Sequence, residues 1–355
     1  MRKRVTLKFI AEQSGADIAI VSKVVNGRAQ GKVSAEKRAR IEELIRQYNY
    51  APLASARSMV TGKQRQIAFM LSSQTTLGLA NYYYAMIMTG VYEVCAERGY
   101  QCVVNVFDFS TVDAFVMPEN LRRMSIDGFV ITGFFDNANL RKLAEMELPL
   151  VTIGISHMQD MVPALGLNRQ LAYSKMLNFA MERGHRRISV DNPEALKICQ
   201  ELTAEQTDME LGLAGTAIPL DSFLAGEKYA EIFAGMPETV RPTFLYVNDH
   251  FAAAFLERAA QFGIHCPEDV SILSTDTPIS RWTTPHLSVL KEPVHEYGRR
   301  AAKLLLDMID GKTDPETAKL KAQEMQFQTG IEDRDSIRDL FIKNKNKRGN
   351  FKIKN

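Results

Sequence analysis

Residues 5–27 read Val5-Thr6-Leu7-Lys8-Phe9-Ile10-Ala11-Glu12-Gln13-Ser14-Gly15-Ala16-Asp17-Ile18-Ala19-Ile20-Val21-Ser22-Lys23-Val24-Val25-Asn26-Gly27. Thr6 is placed to cap a first helix, with Phe9, Ile10 and Ser14 near one face. Ser14-Gly15-Ala16 is a turn, because glycine enters the left-handed region without steric cost. Asp17 stands as N-cap of a second helix over residues 18–25, and Asn26-Gly27 ends it. Ser34 caps a third helix, with Ile41, Leu44 and Ile45 at i, i+3, i+4 spacing. Helix, tight turn, helix is the helix-turn-helix arrangement.

Charge divides the chain at about the same place. The 355 residues carry a formal net charge of only +2. Residues 1–66 hold 14 Lys+Arg against 5 Asp+Glu, a balance of +9. Residues 67–342 hold 24 against 37, a balance of −13, and residues 343–355 hold 6 basic residues and no acid. A basic head suits a polyanion, while the acidic body repels one. Between them, Leu53–Lys63 is rich in small residues and has too few turns to be stable as an isolated helix.

From residue 67 the pattern changes. Apolar runs of strand length at 67–71, 102–106, 128–132, 150–153, 187–190, 244–247 and 270–273 alternate with helical periods at 83–98, 169–183 and 249–262. Each helical period is followed by glycine, the expected stop. This alternation predicts parallel sheets with helices on both faces, in two lobes that divide near residues 155–165. Ligands of such folds bind between lobes, at the carboxyl ends of strands.

Several classes are excluded or disfavoured. No run of about 18 uncharged apolar residues exists, so a membrane span is not expected. No apolar h-region follows Met1-Arg2-Lys3-Arg4, which points to the cytoplasm. Cys95, Cys102, Cys199 and Cys266 form no CxxC pair and read as reduced core residues, not as a disulfide framework or zinc site. There is no phosphate-binding GxxxxGK[ST], no GxSxG elbow and no HExxH. Neither an enzyme nor a bound cofactor or metal is expected.

The residues resemble the LacI/GalR-type transcriptional regulators. The resemblance is carried by Val5-Thr6-Leu7-Lys8, Ser14-Gly15-Ala16, Val21–Gly27, Val33-Ser34, Tyr48-Asn49-Tyr50-Ala51-Pro52, Ala56-Arg57-Ser58-Met59 and Thr61-Gly62-Lys63. It continues through Gly184-His185-Arg186-Arg187-Ile188, Pro242-Thr243, Asn248-Asp249, Pro267–Ser271, Asp276 and Pro285-His286-Leu287. It implies a small all-α helix-turn-helix head over 1–52 and a hinge helix over 53–66. It further implies an α/β two-lobed periplasmic-binding-protein-like body over 67–330, with an extension at 331–355.

The resemblance also implies roles. Ile18, Ala19, Ser22 and Lys23 would face base edges of double-stranded DNA, where Lys23 donates to guanine and the apolar pair meets thymine methyls. Thr6, Asn26, Lys32 and Ser34 would touch phosphates, with Tyr50 and Ala56 completing the DNA-binding set and Met59 as the minor-groove wedge. Ser72, Tyr83, Asn248, Asp276 and Trp282 would line an effector site for a small molecule. Two departures stand out: Asn168-Arg169 replaces the family's frequent Asp-Asn, and residues 188–240 contain no Arg. The cleft is therefore expected to take a neutral sugar or glycoside. The reading is a homodimeric repressor on a pseudo-palindromic operator; the rival is a small-molecule binding protein with a vestigial head. The tail spacing of Ile337, Leu340 and Phe341 suggests one surface helix.

Overall fold

The computed structural model describes residues 5–341, except 28, 30–32, 51–57, 59–61, 109–118, 120–122, 124, 134–136, 155–159, 207, 216–220 and 326. They fall into two compact units, residues 1–66 with 119–127 and residues 67–118 with 128–355. Most of the hinge, including Ala56 and Met59, lies outside the described residues, as do Lys32 and the basic tail.

In the first unit, α1 (Leu7–Ser14), α2 (Ile18–Val25) and α3 (Ala35–Gln47) form the head. The expected caps are all made. Thr6 Oγ1 accepts from Phe9 N–H at 3.2 Å, Asp17 Oδ1 from Ala19 N–H at 2.7 Å, and Ser34 Oγ from Lys37 N–H at 3.4 Å. Each such cap stabilises its helix by about 1 kcal/mol. Gly15 turns the chain at φ +63°. Ile10, Val21, Val24, Ile41 and Leu44 meet in a small core, edged by Phe9 against Tyr48 at 5.0 Å.

The second unit contains two sheets. The first uses β1 (Gln66–Ser72), β2 (Gln101–Phe107), β3 (Phe129–Thr132), β4 (Leu150–Ile153) and β5 (Ala164–Leu165), in the order β2-β1-β3-β4-β5. The second uses β6 (Arg187–Val190), β7 (Glu210–Leu213), β8 (Phe244–Tyr246), β9 (Ser271–Thr275), β10 (Ser288–Lys291) and β11 (Gly330–Glu332), in the order β11-β10-β9-β8-β6-β7. The pairs β1–β3, β3–β4, β4–β5, β6–β7, β6–β8, β8–β9 and β9–β10 are parallel, while β11 joins antiparallel.

Helices cover these sheets in the order α4 (Tyr82–Glu97), α5 (Asn137–Ala144), α6 (Arg169–Glu182), α7 (Pro193–Leu202), α8 (Ser222–Gly235), α9 (Asp249–Ala260), α10 (Pro278–Trp282), α11 (Val294–Ile309) and α12 (Pro315–Glu324). In lobe one, Ile67, Phe69, Leu71, Val130 and Val151 share a core with residues of α4, α11 and α12. In lobe two, α6 and α7 pack with Ile188, Phe244 and Leu273, whereas α8 and α9 pack with Leu245 and Ile272. The helix pairs approach closely at glycine: a Cβ on Gly298 would overlap the Ile87 carbonyl, and one on Gly226 the Phe251 carbonyl.

The expected lobe division near 155–165 is one of three crossings. The chain also crosses back after β10, to build α11 and α12 on lobe one, and crosses again before β11. The body therefore does not end at residue 330. Residues 333–339 run without helix, and helical backbone starts only at Leu340, later than the spacing of Ile337, Leu340 and Phe341 suggests. Their side chains and backbone pin into lobe two at every second residue. Arg334 donates to the Leu287 carbonyl at 2.8 Å, Ser336 Oγ joins Ser288 N–H to the Ile272 carbonyl, and Arg338 N–H donates to Ser271 Oγ at 2.9 Å. That period of two is extended chain, and it outweighs the i, i+3, i+4 apolar spacing.

The Gly184–Ile188 run has a structural part. His185 is buried, with Nδ1 at 3.0 Å from Thr243 Oγ1 and Nε2 at 2.9 Å from the Arg338 carbonyl. Burial lowers its pKa from 6.5 to about 4, although the Arg338 carbonyl works the other way. The unfolded chain thus binds a proton that the folded chain refuses. Stability from this group is complete above pH 6.5 and is lost as pH falls toward about 4, by about 3 kcal/mol in total. Replacing His185 by Gln should remove that share of the pH dependence, read by urea unfolding at neutral pH and at pH 4. An unchanged difference between the two pH values would show that other groups carry it.

Candidate DNA-binding surface and effector cleft

In the head, α2 presents Ile18, Ala19 and Lys23 to solvent, and Ile18 is 47% exposed although it is large and apolar. Val21 and Val24 on the opposite side enter the core. The split follows from the 3.6-residue period. Ser22 and Asn26 are held to each other: Asn26 Nδ2 donates to the Ser22 carbonyl at 2.7 Å and to Ser22 Oγ at 3.2 Å. Thr6 and Ser34 use their hydroxyls as caps, and Tyr50 packs half-buried against the head core. Burial raises the Tyr50 phenol pKa.

In the body, parallel strands deliver polar residues at their carboxyl ends. Tyr82, Asp276, Thr277, Pro278, Arg281 and Trp282 line a pocket of about 260 Å³ between α4 and the turn after β9. Trp282 is 81% exposed. Arg334 Nη2 donates to Asp276 Oδ1 at 3.2 Å, and Arg281 lies 3.6 Å from Glu332. Across the cleft, Thr76 Oγ1 donates to Ser222 Oγ at 3.1 Å and accepts from Ser222 N–H at 3.1 Å, which ties lobe one to the first turn of α8.

Of the five effector residues expected, Asp276 and Trp282 line this pocket and three do not. Ser72 is buried, and its Oγ accepts from Gln74 N–H at 3.3 Å within a turn. Asn248 is spent on the fold: Oδ1 caps α9 through Phe251 N–H at 3.0 Å, and Nδ2 donates to Asp191 Oδ2 at 2.8 Å. Asp191 also accepts from Asn248 N–H at 2.7 Å and from Asn192 Nδ2 at 3.1 Å. Burial raises its pKa against those three donors. Tyr83 sits in the interior beside Glu292, where burial, first, and the Glu292 charge raise its pKa well above the usual phenol value.

The expectation of a cleft without an arginine fork is corrected. The window 188–240 indeed holds none, but Arg169 arrives from the start of α6. Its Nη2 donates to the Gly154 carbonyl at 2.7 Å, and its Nη1 pairs with Glu194. The guanidinium therefore joins the end of β4 in lobe one to α7 in lobe two. Burial pushes Glu292 up to about 7, while the Arg169 charge and the phenols of Tyr297 and Tyr83 pull it down. Sequence reading missed Arg281 and Arg334, while Tyr82 lies in the Tyr82-Tyr83-Tyr84 run it offered for ring stacking. Pro278 after Thr277 was the available sign of a helix start beside Asp276, because proline is favoured in a first turn.

Asn248 and Asp191 can be tested as a structural pair. Asn248→Ala should destabilise the ligand-free protein by about 1–3 kcal/mol, since it removes a cap and strips a buried carboxylate of a donor. Urea unfolding checks this, and unchanged stability would return Asn248 to the ligand.

Comparison with known proteins agrees with this architecture. Residues 177–327 match the periplasmic binding protein-like domain. The catabolite control protein A of Staphylococcus epidermidis is 23% identical over 315 residues, covering 85% of this chain and 91% of that protein. The lac repressor dimer bound to operator and the anti-inducer ONPF superposes with TM-score 0.73 at 21% identity, covering 95% of this chain and 100% of the other. A complex of the transcriptional regulator CelR with cellobiose gives TM-score 0.60 at 22% identity, covering 94% and 100%. The chain thus carries a helix-turn-helix head ahead of a periplasmic-binding-protein-like body, and in sequence and fold it is similar to LacI-family regulators.

Proposed function

We propose that this regulator is a cytoplasmic repressor that works by binding rather than catalysis. As a homodimer it binds a pseudo-palindromic DNA operator, and a small effector in the cleft controls that binding. The observation that carries the reading is the α2 surface: Ile18, Ala19 and Lys23 stand exposed on a capped, basic head over a core that needs none of them. The lac repressor dimer, of the same fold, was solved on its operator.

Phosphate contacts should dominate DNA affinity. The logarithm of the binding constant is expected to fall with log salt at about −0.9 per phosphate contacted. Lys23→Ala should cost about 1–3 kcal/mol on operator DNA and little on random DNA, relaxing one base position. Salt-insensitive binding sinks the assignment; equal losses on both DNAs reduce Lys23 to a phosphate contact.

The effector is proposed to be a neutral sugar or glycoside. Both carboxylates at the pocket are compensated, Asp276 by Arg334 and Glu332 by Arg334, Arg281 and Lys291, so a neutral polar ligand meets no unpaired carboxylate. Asp276, Thr277 and Arg281 offer acceptors and donors for hydroxyls, and Tyr82 and Trp282 offer ring faces. The CelR structure holds cellobiose in the same fold. Trp282 is the single tryptophan of the chain, so its emission reports the pocket directly. Cellobiose and glucose should shift that emission and raise Tm, whereas sugar phosphates should do neither. Asp276→Asn should weaken the response roughly tenfold or more, as loss of a charge-assisted hydrogen bond does. Tight binding of a sugar phosphate or purine defeats the reading.

A further inference from the structure

Two of the four cysteines are neighbours. Cys95 ends the inner face of α4, and Cys102 opens β2, the edge strand of lobe one. The chain between them reverses in one turn: Gly99 sits at φ +68°, and Tyr100 N–H donates to the Cys95 carbonyl at 2.8 Å. Both sulfurs therefore belong to the same apolar cluster, with Cys95 fully buried and Cys102 at its margin. The two thiols act on each other: the Cys102 side chain, first, raises the Cys95 pKa, while the Cys95 side chain, first, lowers that of Cys102. Cys199 and Cys266 lie in the two separate cores of lobe two, each without a second cysteine in its cluster.

We propose that Cys95 and Cys102 form a peroxide-closable dithiol that locks the carboxyl end of α4 to the edge strand β2. The roles follow from the contacts. Cys102 is half-buried, and the lowering of its pKa by Cys95 favours the thiolate, the nucleophilic form. Cys95 is enclosed and its pKa is raised, so it remains a thiol until its neighbour is oxidised. In the first step the Cys102 thiolate attacks a peroxide oxygen. The O–O bond breaks, the distal oxygen leaves as hydroxide or alkoxide, and Cys102 becomes a sulfenic acid. In the second step the Cys95 sulfur attacks the Cys102 sulfur. The S–O bond breaks, water leaves with the Cys95 proton, and the disulfide is formed. Two thiols are oxidised and one peroxide is reduced. A reducing compartment reopens such a bond, so the pair is a reversible switch rather than a structural staple.

The test uses the full-length reduced protein, hydrogen peroxide as the probe, and thiol titration after denaturation. Titratable thiols should fall from the four of the sequence to two. The intact mass should drop by about 2 Da, as loss of two hydrogens requires. Peptide mapping should find a single cross-link, Cys95 to Cys102, that dithiothreitol removes. Cys95→Ala should instead accumulate a dimedone-reactive sulfenic acid at Cys102, and Cys102→Ala should keep all its thiols. Retention of four thiols overturns the proposal. So does a cross-link through Cys199 or Cys266, or oxidation of Cys102 to sulfinic acid with Cys95 still free. The wild-type map decides even if a variant folds poorly.

Discussion

A parallel strand pair cannot be closed by a tight turn; each needs a crossover that returns the chain to the starting edge. Seven of the strand pairs in the body are parallel, and that constraint organises everything else. The carboxyl ends of the parallel strands within a sheet point one way, so Gly154, Asp191, Asn248 and Asp276 each follow a strand and gather along one border of their sheet. The chain then crosses between lobes after β5, after β10 and before β11. Those crossings put Arg169 and Glu292, residues far apart in sequence, beside Tyr83 of lobe one.

The polar residues at these strand ends serve the fold before any ligand. Asn168, Asn192 and Asn248 each begin a helix, accepting from backbone N–H groups at 3.0, 2.7 and 3.0 Å. A helix that starts straight after a strand leaves several N–H groups without an intrahelical partner, and asparagine supplies an acceptor in the shortest loop. Such a residue is satisfied in the empty protein. The proposed pocket instead lies at the turn after β9, where Asp276 precedes, and Arg281 belongs to, a helix of five residues whose N-cap Thr277 makes no side-chain cap bond.

The head was the most legible part of the sequence. Its three caps, its glycine turn and its core spacing are local, and local signals survive without tertiary context. In the body, strands with long apolar runs were legible, but β5, β7, β10 and β11 were not. Glu210-Leu211-Gly212-Leu213 is an edge strand only partly buried, and β11 is a three-residue edge. Neither needs a run of β-branched residues. Residues 333–339 misled for a related reason: Arg334 and Ser336 bond to partners more than 40 positions earlier, which no window of a dozen residues contains. The arginine of the cleft was hidden in the same manner. A search confined to 188–240 follows one strand and its crossover, whereas Arg169 enters from the previous crossing.

The ionic pairs explain why that cleft tolerates so many charges. An isolated carboxylate held away from water is expensive, and the usual remedies are a partner or a proton. Asp276 and Glu332 take the first: Arg334, itself only 10% exposed, donates to both carboxylates. Glu292 takes the second in part, since burial lifts it to about 7 and its nearest cation, Arg169, is shared with Glu194. The two groups are therefore unequal as ligand acceptors. Asp276 pairs with Arg334 and lines the open pocket, where the hydroxyls of the proposed ligand would meet it. Glu292 is half-buried and already engaged by the phenols of Tyr297 and Tyr83. The C-terminal segment therefore helps build the proposed pocket. Arg334, which fixes Asp276, lies beyond β11, on the stretch that sequence reading had placed outside the body.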